Sequence, residues 1–139
     1  MEYKRFGNQL VIRMDPGEEI LEQLKLVAEE ESLTLASVSG LGAVNEFTVG
    51  VYKTTEKQYL SKHFTGAYEI VSLTGTVTTK DGAVYLHLHM SAGNEHGEVF
   101  GGHLNRAVVS ATAELVLTVI DGTVERRFDD AIGLNLMNF

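Results

Sequence analysis

At 139 residues, with 44% hydrophobic and 22% charged side chains, the chain has the length of one domain and enough apolar material for one core. Its net charge of −8, from 11 basic and 19 acidic residues, argues against direct sequence-specific DNA binding, which draws on clustered Lys and Arg; only Lys4/Arg5 and Arg126/Arg127 are adjacent here. The lack of cysteine excludes disulfides and thiolate metal ligands, and no apolar run approaches the ~20 residues that cross a bilayer. The first residues run into strand-like sequence without a signal-peptide stretch, so the cytoplasm is the expected location and a membrane is not an expected partner.

Taken in chain order, Gln9 to Met14 reads as a short strand. Asp15-Pro16-Gly17-Glu18 then reads as a helix start, with Asp15 as N-cap, Pro16 at the first helical position and Glu18 closing a capping box. Ile20, Leu21, Leu24, Val27 and Ala28 fall at helical spacing, and the helix should fade near Ser32. Strands are expected at Thr34 to Ser39, then, after a Gly40-Leu41-Gly42 turn of close backbone approach, at Phe47 to Tyr52, Tyr59 to Phe64 and Tyr68 to Thr78. Val84 to Ser91, Val108 to Ile120 and Val124 to Phe128 complete the set. One main helix among so many strands makes most connections hairpins, so the fold class is α+β with a mostly antiparallel sheet, and residues 1–139 form a single domain.

Asp81-Gly82 is a two-residue type I′ turn signal. It sets Lys80 opposite Ala83, Thr78 opposite Tyr85, Thr76 opposite His87 and Thr74 opposite His89. Leu73, Gly75 and Val77 then share an apolar face with Leu86, Leu88 and Met90, while Thr, Tyr and His share the other. Val108 to Ile120 is apolar on one face and only partly polar on the other, and the tail Leu134 to Phe139 adds further apolar groups. Both features predict a second cover supplied by another subunit.

The sharpest chemical signal is His87-Leu88-His89, because strand residues two apart project side by side and can converge on one Zn²⁺. His103 is the third candidate ligand, expected on a tight turn made by Gly101-Gly102. Zn²⁺ is the metal expected for such a set, with Fe or Ni as other imidazole-compatible ions. The competing reading is that these histidines are hydrogen-bonded strand residues beside Thr74 and Thr76, or simply solvated. His63 and His96 read as solvated. Glu69 and Glu114 stand among apolar neighbours and are candidates for a buried metal partner or general base, or for salt bridges to Arg13 or Arg106. No Ser-His-Asp order, phosphate-binding loop or dinucleotide fingerprint is present.

Gly66-Ala67-Tyr68-Glu69-Ile70-Val71-Ser72-Leu73-Thr74-Gly75, Asp81-Gly82, His87-Leu88-His89 and Gly101-Gly102-His103-Leu104 resemble the PPC (plant and prokaryote conserved) domain. Arg13, Gly17-Glu18 and Val38-Ser39-Gly40-Leu41-Gly42-Ala43 match its N-terminal half, so the resemblance covers essentially the whole chain. It implies a homotrimer and a divalent metal held by His87, His89 and His103. The fold and histidine pattern are also similar to acetolactate decarboxylase, which implies a small carbonyl or carboxylate ligand and, if the site is catalytic, metal-dependent lyase or hydrolase-type chemistry. The family also implies an alternative, a non-enzymatic DNA-associated regulatory or protein-interaction module. Its plant members carry an Arg-Gly-Arg-Pro segment that is absent here, and Ala67 stands where their interaction motif has arginine.

Overall fold

Alternation of apolar and polar side chains dominates this sequence, and the chain accordingly forms eight strands and one helix. The computed structural model describes every residue from Met1 to Phe139. The strands are β1 (Glu2–Phe6), β2 (Gln9–Met14), β3 (Ala36–Lys53), β4 (Gln58–Lys80), β5 (Ala83–Gly93), β6 (Val99–Val119), β7 (Glu125–Asp129) and β8 (Leu134–Asn138), with helix α1 (Ile20–Glu30) between β2 and β3. They pair in the order β1-β2-β6-β3-β4-β7-β8, and β5 joins β4 to β6 so that β3, β4, β5 and β6 close on one another. All pairings are antiparallel except a parallel contact of Thr79 with Glu125. The expected α+β class is therefore what the chain adopts.

Leu10, Ile12 and Met14 from one face of β2 enter the core with Phe47, Leu73, Leu88, Met90, Leu115 and Leu117. Helix α1 adds Ile20, Leu24, Val27 and Ala28, the positions expected from the helical period. The helix does not begin at Pro16 as the sequence predicts. Asp15-Pro16-Gly17-Glu18 forms a turn in which the Glu18 side chain accepts from the Asp15 amide at 2.8 Å. Gly17 has φ +88°, a left-handed value that breaks the helical path, and its amide donates to the Val109 carbonyl at 2.8 Å. The N-cap is Glu19, whose carboxylate accepts from the amides of Glu22 and Ala107, both at 2.8 Å, tying the helix to β6.

The Asp81-Gly82 turn is as predicted, with both residues at positive φ (52° and 76°). The register is also as predicted, with Thr78 opposite Tyr85, Thr76 opposite His87 and Thr74 opposite His89. Gly40 to Gly42 is no turn. It is an irregularity inside one long strand, where an added Cβ on Gly42 would meet the Ala113 Cα at 2.6 Å. The close approach is real, but the chain does not reverse there. Likewise Tyr59 to Phe64 and Tyr68 to Thr78 are parts of the single strand β4. No helix is long and apolar enough to cross a membrane.

Candidate metal centre

His87 and His89 stand on one face of β5, and the β5–β6 register puts His103 directly opposite His89. The ring centroids lie 5.2 Å apart for His87–His89, 5.2 Å for His87–His103 and 5.7 Å for His89–His103. One nitrogen from each ring can be chosen so that all three lie within 4.8 Å of one another. Nitrogens bound to one tetrahedral Zn²⁺ at ~2.0–2.1 Å stand ~3.3 Å apart, so modest ring rotation brings this set to ligand spacing.

His103 does not reach the site on a turn, as the sequence predicts. It lies within β6, and the two preceding glycines serve strand contact instead of chain reversal. A Cβ on Gly101 would lie 2.7 Å from the Met90 carbonyl oxygen, and one on Gly102 would lie 2.5 Å from that of Gly50. Their missing side chains let β3, β5 and β6 approach closely enough for three histidines to share one face.

Electrostatics favours the neutral, ligand-competent imidazole. Burial pushes His87 down to about 4, helped by the positive charge of Arg126 and the neighbouring His103 and His89. Burial and then His89 also lower His103. Thr76, one threonine of the competing reading, is engaged elsewhere. Thr76 Oγ1 accepts from Arg126 Nη2 at 3.4 Å, and it is His63 whose Nδ1 sits 3.0 Å from a threonine hydroxyl, that of Thr48. His96 is exposed in the turn after β5, 3.5 Å from Glu95.

The histidines line a cleft of about 600 Å³. Its other walls come from Tyr52 and Tyr59 near the β3–β4 connection, Tyr85 on β5, Asn105 on β6, and Arg126, Leu134, Asn135 and Leu136 of the β7–β8 hairpin. Tyr59 donates to Asn105 Oδ1 at 2.6 Å and meets His103 edge-on at 6.0 Å. Arg126 is 7% exposed, donates from Nε to Thr78 Oγ1 at 2.8 Å and from Nη1 to the Asn135 carbonyl at 2.9 Å, and lies 4.9 Å from the Tyr85 ring centre.

Neither acidic candidate reaches this cleft. A register shift between Ile70 and Ser72 turns Ile70 and Leu73 inward and leaves Val71 62% exposed, so Glu69 faces solvent. Glu114 alternates with buried Ala113 and Leu115 and is exposed as well. The arginines proposed as their partners bind other acids: Arg13 pairs with Glu2 and Asp15, and Arg106 with Glu46. Arg126, Tyr59 and Asn105 are site residues that sequence reading missed. Only Tyr85 was placed on the histidine face, by the hairpin register.

The family model of the Plants and Prokaryotes Conserved (PCC) domain matches residues 1–121. A metal-containing protein of Archaeoglobus fulgidus is 35% identical with TM-score 0.88, covering 99% of this chain and 97% of its own. A plant- and prokaryote-conserved (PPC) protein of Pyrococcus horikoshii is 31% identical with TM-score 0.86, over 99% and 94%. A protein of Bacteroides thetaiotaomicron, provisionally described as DNA-binding, is 30% identical with TM-score 0.96, over 99% and 96%. The bifunctional protein GlmU of a Synechococcus strain is 30% identical over 119 residues, which are 84% of this chain and 17% of that relative's length. A match over most of the sequence, joined to near-complete structural superposition, places this chain in the PCC (PPC) domain family.

Proposed function

We propose that the protein is a homotrimer in which His87, His89 and His103 hold one divalent metal ion, Zn²⁺ before Fe or Ni, at a cleft for a small carbonyl or carboxylate compound. The observation that carries this reading is the cluster itself: three imidazoles from two adjacent strands, without a carboxylate among them, at the wall of a cleft large enough for a small molecule. The metal-containing relative from Archaeoglobus fulgidus supports it. When bound, the ion would polarise a carbonyl or carboxylate, or activate water, which is the basis of lyase or hydrolase-type chemistry. The chain's own residues supply the rest. Burial lowers the pKa of His87 and His103, the Tyr59–Asn105 pair shapes one wall, and Leu134 and Leu136 give another an apolar lining.

The test is metal-to-protein stoichiometry of the wild type and five single His→Ala variants. His87→Ala, His89→Ala and His103→Ala should each lose most of the metal, while His63→Ala and His96→Ala retain it. Equal metal in all six proteins removes the site. A DNA-associated regulatory role is the second reading, supported by the description of the Bacteroides thetaiotaomicron relative.

A further inference from the structure

We propose that Arg126 is a ligand-anchoring residue, and that the compound received by the cleft is a small monocarboxylate whose carboxylate pairs with this guanidinium while a short apolar body lies against Leu134 and Leu136. The inference deepens the function proposed above and rests on it for the metal, though not for the anion.

The first observation is a charge asymmetry. The chain carries 19 acidic residues and a net charge of −8, yet no Asp or Glu lines the histidine cleft. What lines it instead is a guanidinium and three imidazoles. The second observation is that Arg126 is buried without a counter-ion. No carboxylate stands within the 4.0 Å of an ion pair, and the preceding Glu125 turns away to accept from Thr79 Oγ1 at 2.5 Å. A buried charge is retained at a large desolvation cost unless it is paired. Here neutral groups hold the guanidinium in place: the Thr78 hydroxyl on Nε, the Asn135 carbonyl on Nη1 and a long 3.4 Å contact from Nη2 to Thr76. A guanidinium has five N–H donors, so N–H capacity remains for a ligand.

Its position relative to the histidines follows from the sheet. Thr76, which Arg126 touches, is the cross-strand partner of His87, and Thr78 is that of Tyr85. Arg126 is thereby locked one hairpin step from the imidazoles. With a divalent ion on three neutral histidines, the cleft would hold three positive charges and no negative one, a balance that an anionic ligand restores. A carboxylate suits it better than a phosphate. A phosphate is commonly cradled by several backbone amides at a helix terminus or glycine-rich loop, whereas this wall offers one guanidinium beside an aromatic face and leucines. Arg126 and the β7–β8 hairpin lie beyond residues 1–121 that match the family model.

Isobutyrate, isobutyramide and inorganic phosphate are the probes, titrated calorimetrically into the full-length protein as purified and after chelation, with metal content measured on the same samples. Isobutyrate should bind saturably to both forms, more tightly to the metal-loaded one, and isobutyramide and phosphate should bind at least tenfold more weakly. Arg126→Gln should weaken isobutyrate binding about tenfold or more, the scale of one charge-assisted contact, and leave metal stoichiometry unchanged. Arg126→Lys, which keeps the charge, should weaken it less. If Arg126→Gln does not fold, the lysine variant and the acid–amide comparison on wild type decide the matter. Equal isobutyrate affinity in wild type and the folded Gln variant, amide bound as well as acid, or phosphate bound more tightly than isobutyrate would each overturn the proposal. Arg126-dependent isobutyrate binding by a protein that takes up no metal supports the anchor and rejects the metal centre alone. Metal held by the three histidines with Arg126-independent isobutyrate binding does the reverse.

Discussion

His87 is the residue whose ionisation reports most directly on the site. Its folded-state pKa is pushed down to about 4, first by burial and then by Arg126, His103 and His89, against ~6.5 for an unperturbed histidine. Between those values the unfolded chain binds the proton that the folded chain refuses. Stability from this group is therefore present above pH ~6.5 and lost as pH falls toward about 4. His103 is shifted in the same direction. Urea melts of the chelated protein at several pH values across this window should show falling stability on acidification, with a shallower fall for His87→Gln. Identical pH profiles for the two proteins would contradict the assignment. At this scale the sequence was informative where a side chain's neighbours follow from strand alternation, as for His87, His89 and Tyr85. It misled at Glu69, where one register shift reverses which side chains face inward.

Among the elements, the β4–β5 hairpin was legible because its information is local. A type I′ turn needs two residues at positive φ, Asp-Gly meets that need, and register then propagates along both strands. The path from β5 to β6 was not legible, because glycine permits both a tight turn and close strand packing, and only the neighbouring strand decides between them. A substitution separates the two roles. Gly102→Ala places a Cβ 2.5 Å from the Gly50 carbonyl oxygen, forcing β6 from β3, and should destabilise by about 1–3 kcal/mol while lowering metal content by displacing His103. Gly82→Ala meets no neighbouring atom and strains only the left-handed turn, so it should cost about 1–2 kcal/mol with metal content intact. Denaturant melts and elemental analysis of both variants check this contrast. Unchanged metal in a folded Gly102→Ala protein would show that strand spacing does not set the site.

For the whole molecule, the expected partner is a second and third copy of itself. Val11 pairs with Val116 across β2 and β6 and is 44% exposed, and Leu41, Val71 and Val99 are each more than half exposed. Such apolar surface is better covered than left in water. Sedimentation at micromolar concentration should show three times the 15.2 kDa chain mass, assembled as a closed ring. A species at the single-chain mass alone would reject it. Duplex DNA should bind weakly and without sequence preference, since a net charge of −8 with scattered cations releases few counterions. A salt-dependent binding assay yielding a specific Kd tighter than ~10⁻⁸ M would reverse that expectation.

The amino-acid sequence by itself determined the α+β class, the helix core positions, the hairpin register and the His-x-His pair, because each is written in a period or a turn only a few residues long. Tertiary structure alone decided that His103 enters through a strand, that Glu19 caps the helix, that Glu69 and Glu114 face solvent, and that Arg126 joins the histidine cleft. Those outcomes depend on which strands pair across long stretches of chain and on where register shifts fall. Long-range pairing reads two distant segments at once, and no window along one of them contains the other.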